Sequence, residues 1–153
     1  MGIDKKDNPN KRKPEEFSTT QMFFTAKAFL SAAKRCNEPS FKELGWAHHL
    51  IVPIVTNVSF SCELFLKTIL REENKFPREH NLHKLFVMLS EKTQKDIIGE
   101  DDNEEFISIL IQNSCLFEEW RYIYEYHLRS LNISFLFDFA ERLSVYTDHY
   151  QLS

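Results

Sequence analysis

From Ile51 to Leu70 the apolar residues recur with a helical period: Ile51, Ile54, Val55, Val58, Cys62, Phe65, Leu66 and Ile69 fall on one continuous stripe. The opposite side is not simply polar. Thr56, Glu63 and Lys67 line up there between Val52, Phe60, Leu64 and Leu70, so a narrow charged strip runs through apolar surroundings. A helix apolar on two sides has neighbours on two sides, and a carboxylate and an ammonium between them are either paired or functional. Glu63 precedes Lys67 at i,i+4, the favourable order for a helical ion pair. The run Ile51, Val52, Val55, Val58 also carries strand propensity, which leaves a short buried strand as the competing assignment. The length of the pattern favours the helix, and Pro53 suits a first turn or a kink better than a central strand.

The remaining pattern predicts further helices. Ser18-Thr19-Thr20-Gln21 reads as a capping box, with Phe17 and Met22 as the hydrophobic staple and Phe23, Ala26, Leu30 and Ala33 as the core stripe to about Cys36. Asn37-Glu38-Pro39-Ser40 breaks it. Asn81 is an N-cap for a helix burying Leu82, Leu85, Phe86 and Leu89, and Ser90 to Ile98 adds a short helix before Gly99. Residues Asp102 to Glu105 cap a fourth long pattern running to about Tyr126, with Phe106, Leu110, Phe117, Trp120 and Tyr124 on one face. Asn132 or Ser134 caps a last helix burying Leu136, Phe139, Ala140 and Leu143. The expected fold is all-α, an up-and-down antiparallel bundle of four to five helices over residues 17–150. Residues 1–16, with Lys5, Lys6, Lys11, Arg12 and Lys13, read as a flexible basic arm with nothing to bury.

Composition sharpens this. Fourteen Phe against three Gly and five Pro in 153 residues favours long packed helices over a turn-rich β fold. The net charge of −4 argues against a uniformly basic nucleic-acid binder but leaves room for a local basic patch. Cys36, Cys62 and Cys115 are odd in number and far apart, as expected of reduced core thiols in a cytoplasmic protein. The polar N-terminus and the absence of an uninterrupted apolar run of bilayer length predict neither secretion nor a membrane partner.

Two constellations could carry chemistry. Glu118, Arg121 and Glu125 share one edge of the fourth pattern, where Arg121 either closes an ion-pair network or presents its donor fork to a phosphate. His127 follows Arg121 with five residues between them and is either a general acid or base or a helix-terminal histidine. On an unbroken helix the two would point about 120° apart, so they share a site only if the helix ends near Tyr126 or a second subunit completes the pocket. His80 and His83 lack a further ligand at matching spacing, so no metal and no cofactor is expected. There is no Gly-rich phosphate loop and no nucleophile elbow.

Three pieces of this chain together resemble the HEPN family of small helical proteins. They are Glu63-Leu64-Phe65-Leu66-Lys67, similar to the family's Glu-x-x-x-Lys helix; Glu79-His80-Asn81-Leu82, similar to its His-Asp/Asn-Leu turn; and Arg121 to His127, similar to its ribonuclease motif of Arg, four to six residues, then His. The resemblance implies a homodimer in which two Arg–His motifs face one cleft and cut RNA without metal, as a toxin or defence component, with an antitoxin as a possible partner. By that resemblance Arg121 and His127 would be catalytic, with Glu63, Lys67 and Glu125 supporting. The alternative it leaves open is a non-catalytic nucleotide- or protein-binding module that partners a nucleotidyltransferase, or a structural dimer stitched by Glu63, Lys67 and Arg121.

Overall fold

The computed structural model describes residues 12–38, 47–114 and 132–151. Within them all regular structure is helical, with no strand: a 3-10 turn at Pro14–Glu16, then α1 (Thr19–Cys36), α2 (Ala47–Glu72), α3 (Leu82–Val87), α4 (Glu91–Ile98), α5 (Asn103–Gln112) and α6 (Ile133–Gln151). The starts follow side-chain capping. Ser18, Asn81, Ser90 and Asp102 each accept the backbone N–H three residues on, and Asn132 does the same for Phe135 at 2.9 Å, which settles the cap of the last helix in its favour.

α2 is the centre, and it is a helix throughout, with Pro53 inside it. Val55, Val58, Cys62, Phe65, Leu66 and Ile69 are fully buried. α1 covers one side, antiparallel to α2, with Ser61 donating to the Ala26 carbonyl at 2.8 Å and Arg71 to the Thr19 hydroxyl at 3.1 Å. α6 covers another side and runs parallel to α2, since Cys62 meets the Leu136 carbonyl while Glu73 and Tyr146 both meet Thr93. Ion pairs Lys27–Asp148 and Lys34–Glu141 close α1 onto α6. Phe86, Phe106 and Phe139 bring α3, α5 and α6 together, their centroids 5.7 to 5.9 Å apart. The result is a helical bundle, and Phe23, Ala26, Leu30, Ala33, Leu82, Leu85, Leu89, Leu136, Ala140 and Leu143 all lie in its core as their spacing predicts.

The sequence expectation that no apolar run reaches bilayer length is corrected by α2, and this packing accounts for that length. Leu50–Glu72 is long and apolar enough to cross a bilayer by length and composition, with a mean hydropathy of 1.5, but half of it is buried inside the bundle and it carries Glu63 and Lys67. Cys62 is a buried thiol whose ionisation is pushed up by desolvation, so it is inert. Cys36 is only half-buried at the end of α1 rather than in the core, and Cys115 lies outside the described residues.

One expected helix is shorter than its pattern. α5 ends at Gln112 instead of continuing toward Tyr126, because Asn113 and Ser114 turn their side chains back onto the Ile109 and Leu110 carbonyls and compete with the helical ladder. The freed groups tie elements together: Ser114 receives the N–H groups of Leu82 and His83, and the Asn113 side chain receives that of Asn132.

At its other end α2 stops in a left-handed turn, with Asn74 at φ 58 and the Lys75 N–H reaching back to the Leu70 carbonyl at 2.8 Å. Beside it Glu73 holds the start of α4, accepting from the Ser90 N–H at 2.9 Å, the Thr93 hydroxyl at 2.8 Å and Lys75 at 2.9 Å. Desolvation pushes the Glu73 carboxyl up, but these bonds from Lys75, Thr93 and Ser90 outweigh it and hold it below the usual carboxylate range. A carboxyl depressed in the folded state adds stability that is complete above the unfolded value of about 4.3 and is lost as pH falls through the lower folded value. Glu73→Gln is therefore expected to flatten the acid limb of the stability curve below about pH 4.3, read as urea midpoints against pH. An acid limb identical to that of the wild type would deny Glu73 this role.

Candidate functional site

Glu63 lies on the last third of α2 with only 2% of its surface exposed. A lone carboxylate there would be costly, and the chain answers with two donors on one oxygen. Lys67, one turn on, gives its ammonium to Oε1 at 2.8 Å. The Nδ1 of His80, 17 residues away in sequence, lies 2.8 Å from the same atom. An ionised carboxylate only accepts, so Nδ1 carries the hydrogen and the Nε2 of His80 keeps its lone pair or second proton for something else. The His80 side chain is 56% exposed, against 17% for Lys67, so the imidazole bridges the buried acid and the surface. The second oxygen of Glu63, Oε2, is buried without a partner among the described residues, as is the Ser59 hydroxyl one turn earlier on α2.

The loop after α2 delivers His80 because Glu79 builds its turn. The Glu79 carboxylate accepts the His80 N–H at 2.9 Å and the Asn81 N–H at 3.0 Å, bonds from Asn81 and His80 that hold it below the usual carboxylate range. Asn81 then caps α3 by accepting from the Lys84 N–H at 3.0 Å. With Nδ1 of His80 committed to Glu63, the His80–His83 pair offers no joint metal ligation through that atom, and no group of three His, Cys, Asp or Glu comes together among the described residues.

Lys67 and His80 form one wall of a cleft of about 170 Å³ at the end of α2. Its other cations are Arg12, Arg71 and Arg78, and its apolar lining is Phe17, Met22, Phe76 and Pro77, with no acid among the described lining residues. Arg71 is held rigidly. Its Nε donates to the Thr19 hydroxyl at 3.1 Å, its Nη2 to the Glu15 carbonyl at 3.1 Å, and its guanidinium stands 5.1 Å from the Phe76 ring centroid. Those bonds also pin the Pro14–Glu16 turn, which the sequence reading places in the unstructured arm. Among the described residues Arg12 and Arg78 have no ion pair and no hydrogen bond.

Of the residues singled out in the sequence, Glu63 and Lys67 are brought together as the i,i+4 spacing predicts. Arg121, His127, Glu118 and Glu125 lie outside the described residues. The functional reading of the sequence had left Arg71, Arg78 and Phe76 unused, and it had given His80 no partner. The only local signal for His80 was its place in the Glu79-His80-Asn81-Leu82 turn. Compared with known proteins, the chain matches no family model, no curated sequence and no solved structure.

Proposed function

We propose that this chain is a HEPN-like bundle that acts on RNA as a metal-independent endoribonuclease, working as a homodimer with Arg121 and His127 of each copy at a shared cleft. The observation that carries the reading is the meeting of two separate motif pieces, Glu63-x-x-x-Lys67 and His80-Asn81-Leu82, on one buried carboxylate oxygen. The all-helical build of the described residues, with α1 antiparallel to α2, also supports a bundle reading.

In the proposed reaction the 2′-hydroxyl oxygen attacks the adjacent phosphorus and the bond to the 5′-oxygen breaks, leaving a 2′,3′-cyclic phosphate and a 5′-hydroxyl. One His127 takes the 2′-hydroxyl proton and the second copy's imidazole protonates the leaving oxygen, so protons balance across the dimer. Arg121 places its fork on the non-bridging oxygens where charge builds in the phosphorane. Glu63 has an oxygen to spare for orienting that guanidinium, and Lys67, the basic arm or both hold the strand's backbone.

Single-stranded RNA incubated with the purified protein in EDTA is expected to yield fragments ending in cyclic phosphate. RNA left intact at a molar excess of protein would end this proposal.

A further inference from the structure

The cleft beside His80 has a specific chemistry of its own. It brings permanent cations, Arg12, Lys67, Arg71 and Arg78, to a lining with no acid among its described residues, and places two phenylalanine rings among them. Cations that exist to stabilise the fold have partners. Arg71 does, and Lys67 has Glu63. Among the described residues Arg12 and Arg78 have neither an ion pair nor a hydrogen bond, so two guanidinium forks meet one opening with no described partner. Such forks match the geometry of phosphate oxygens. Phe76 is 42% exposed with one face taken by Arg71 at 5.1 Å, and Phe17 is 40% exposed at the other chain segment lining the cleft. Exposed rings beside cations suit a flat heterocycle joined to a phosphate. The volume of about 170 Å³ is below the usual range of roughly 300–1,000 Å³ for sites that enclose a drug-sized molecule, so this one grips a phosphate and part of a ring and leaves the rest outside.

We infer that this cleft binds a nucleoside phosphate, with Arg12 and Arg78 on the phosphate, Phe76 and Phe17 against the base, and the exposed His80 at the rim as a further donor. The site goes beyond the proposed cutting residues and stands or falls separately from them. Its ligand is either a free mononucleotide or one unit of an RNA strand, and the shared chemistry is the phosphorylated nucleoside.

The test is calorimetric titration of the full chain with adenosine monophosphate, adenosine, inorganic phosphate and a 2′-O-methyl RNA hexamer that cannot be cut. Adenosine monophosphate is expected to bind at least about tenfold more tightly than adenosine or inorganic phosphate, and the double variant Arg12→Ala/Arg78→Ala to weaken it by about tenfold or more. Phe76→Leu should reduce binding of the nucleotide but not of inorganic phosphate. Neither guanidinium has a partner among the described residues, so the double variant should melt as the wild type does. If the hexamer binds and loses affinity in the double variant, with a salt slope smaller by about 0.7 for each phosphate contact removed, the strand is the ligand. If only the mononucleotide does, the free nucleotide is. No saturable binding of either, or equal binding by wild type and double variant, would overturn the inference. Arg121→Ala/His127→Ala should bind adenosine monophosphate as the wild type does, so loss of cutting without loss of mononucleotide binding separates the two proposals.

Discussion

His127→Ala should lower the cleavage of single-stranded RNA by about 10²–10⁴-fold, the usual contribution of a positioned acid or base, and Arg121→Ala by about 10²–10³-fold. Metal-free cleavage has only proton transfer and charge stabilisation to draw on, so neither loss can be made good from solvent. Single-turnover rates at saturating protein isolate the chemical step. The two variants should differ in kind. Without the imidazole the pH profile should lose its acid–base limb, whereas the Arg121→Ala profile should keep its shape at a lower height. Arg121→Lys restores the charge without the planar fork and should recover only part of the rate. Wild-type rates in both alanine variants would remove Arg121 and His127 from the chemistry.

Glu63→Ala should cost about 3 kcal/mol of stability, because it strips a mostly buried ammonium of its counter-ion and releases the His80 turn from α2. For a chain of this size that is roughly 6–12 °C in Tm. The exposed His80 ring can rehydrate, so most of the loss falls on Lys67, whose side chain is 17% exposed. Replacing the pair together, as Glu63→Leu/Lys67→Met, fills the space with apolar atoms and should restore most of the stability, since desolvation of the pair roughly cancels its attraction. Urea melts of the wild type, Glu63→Leu, Lys67→Met and the double variant form a cycle that measures the coupling. A Glu63→Ala protein as stable as the wild type would show that the carboxylate holds nothing in place. A stable double variant that no longer handles RNA would place these charges in function rather than in stitching helices.

The helices were legible wherever periodicity and caps agreed. Ser18, Asn81, Ser90 and Asp102 begin helices where the sequence places them, because an N-cap acts over three residues and leaves a local signature. The break after Gln112 was not, because Leu110, Phe117 and Tyr124 stay in phase across it, while what ends the helix is back-bonding by Asn113 and Ser114 that hydrophobic spacing does not register. Glu63 and Lys67 were paired from spacing alone. His80, 17 residues on, reaches the same oxygen only through a loop whose course depends on the Asn74 turn and the Glu79 carboxylate. Arg71 bridges 52 residues to Thr19, and no pattern along one helix announces a contact of that span.

The apolar length of α2 also governs how the chain can be made. At synthesis rates of about 5–20 residues per second, α1 is already outside the ribosome when α2 emerges, but some sixty residues separate Glu72 from Ile133, so α6 arrives roughly 3–12 seconds later. For that interval the flank of the central helix that α6 will cover stays wet, on a segment greasy enough to enter a lipid bilayer. The nascent protein thus passes through a sticky half-built form, and its yield in a cell depends on what shields that flank until the final helix lands.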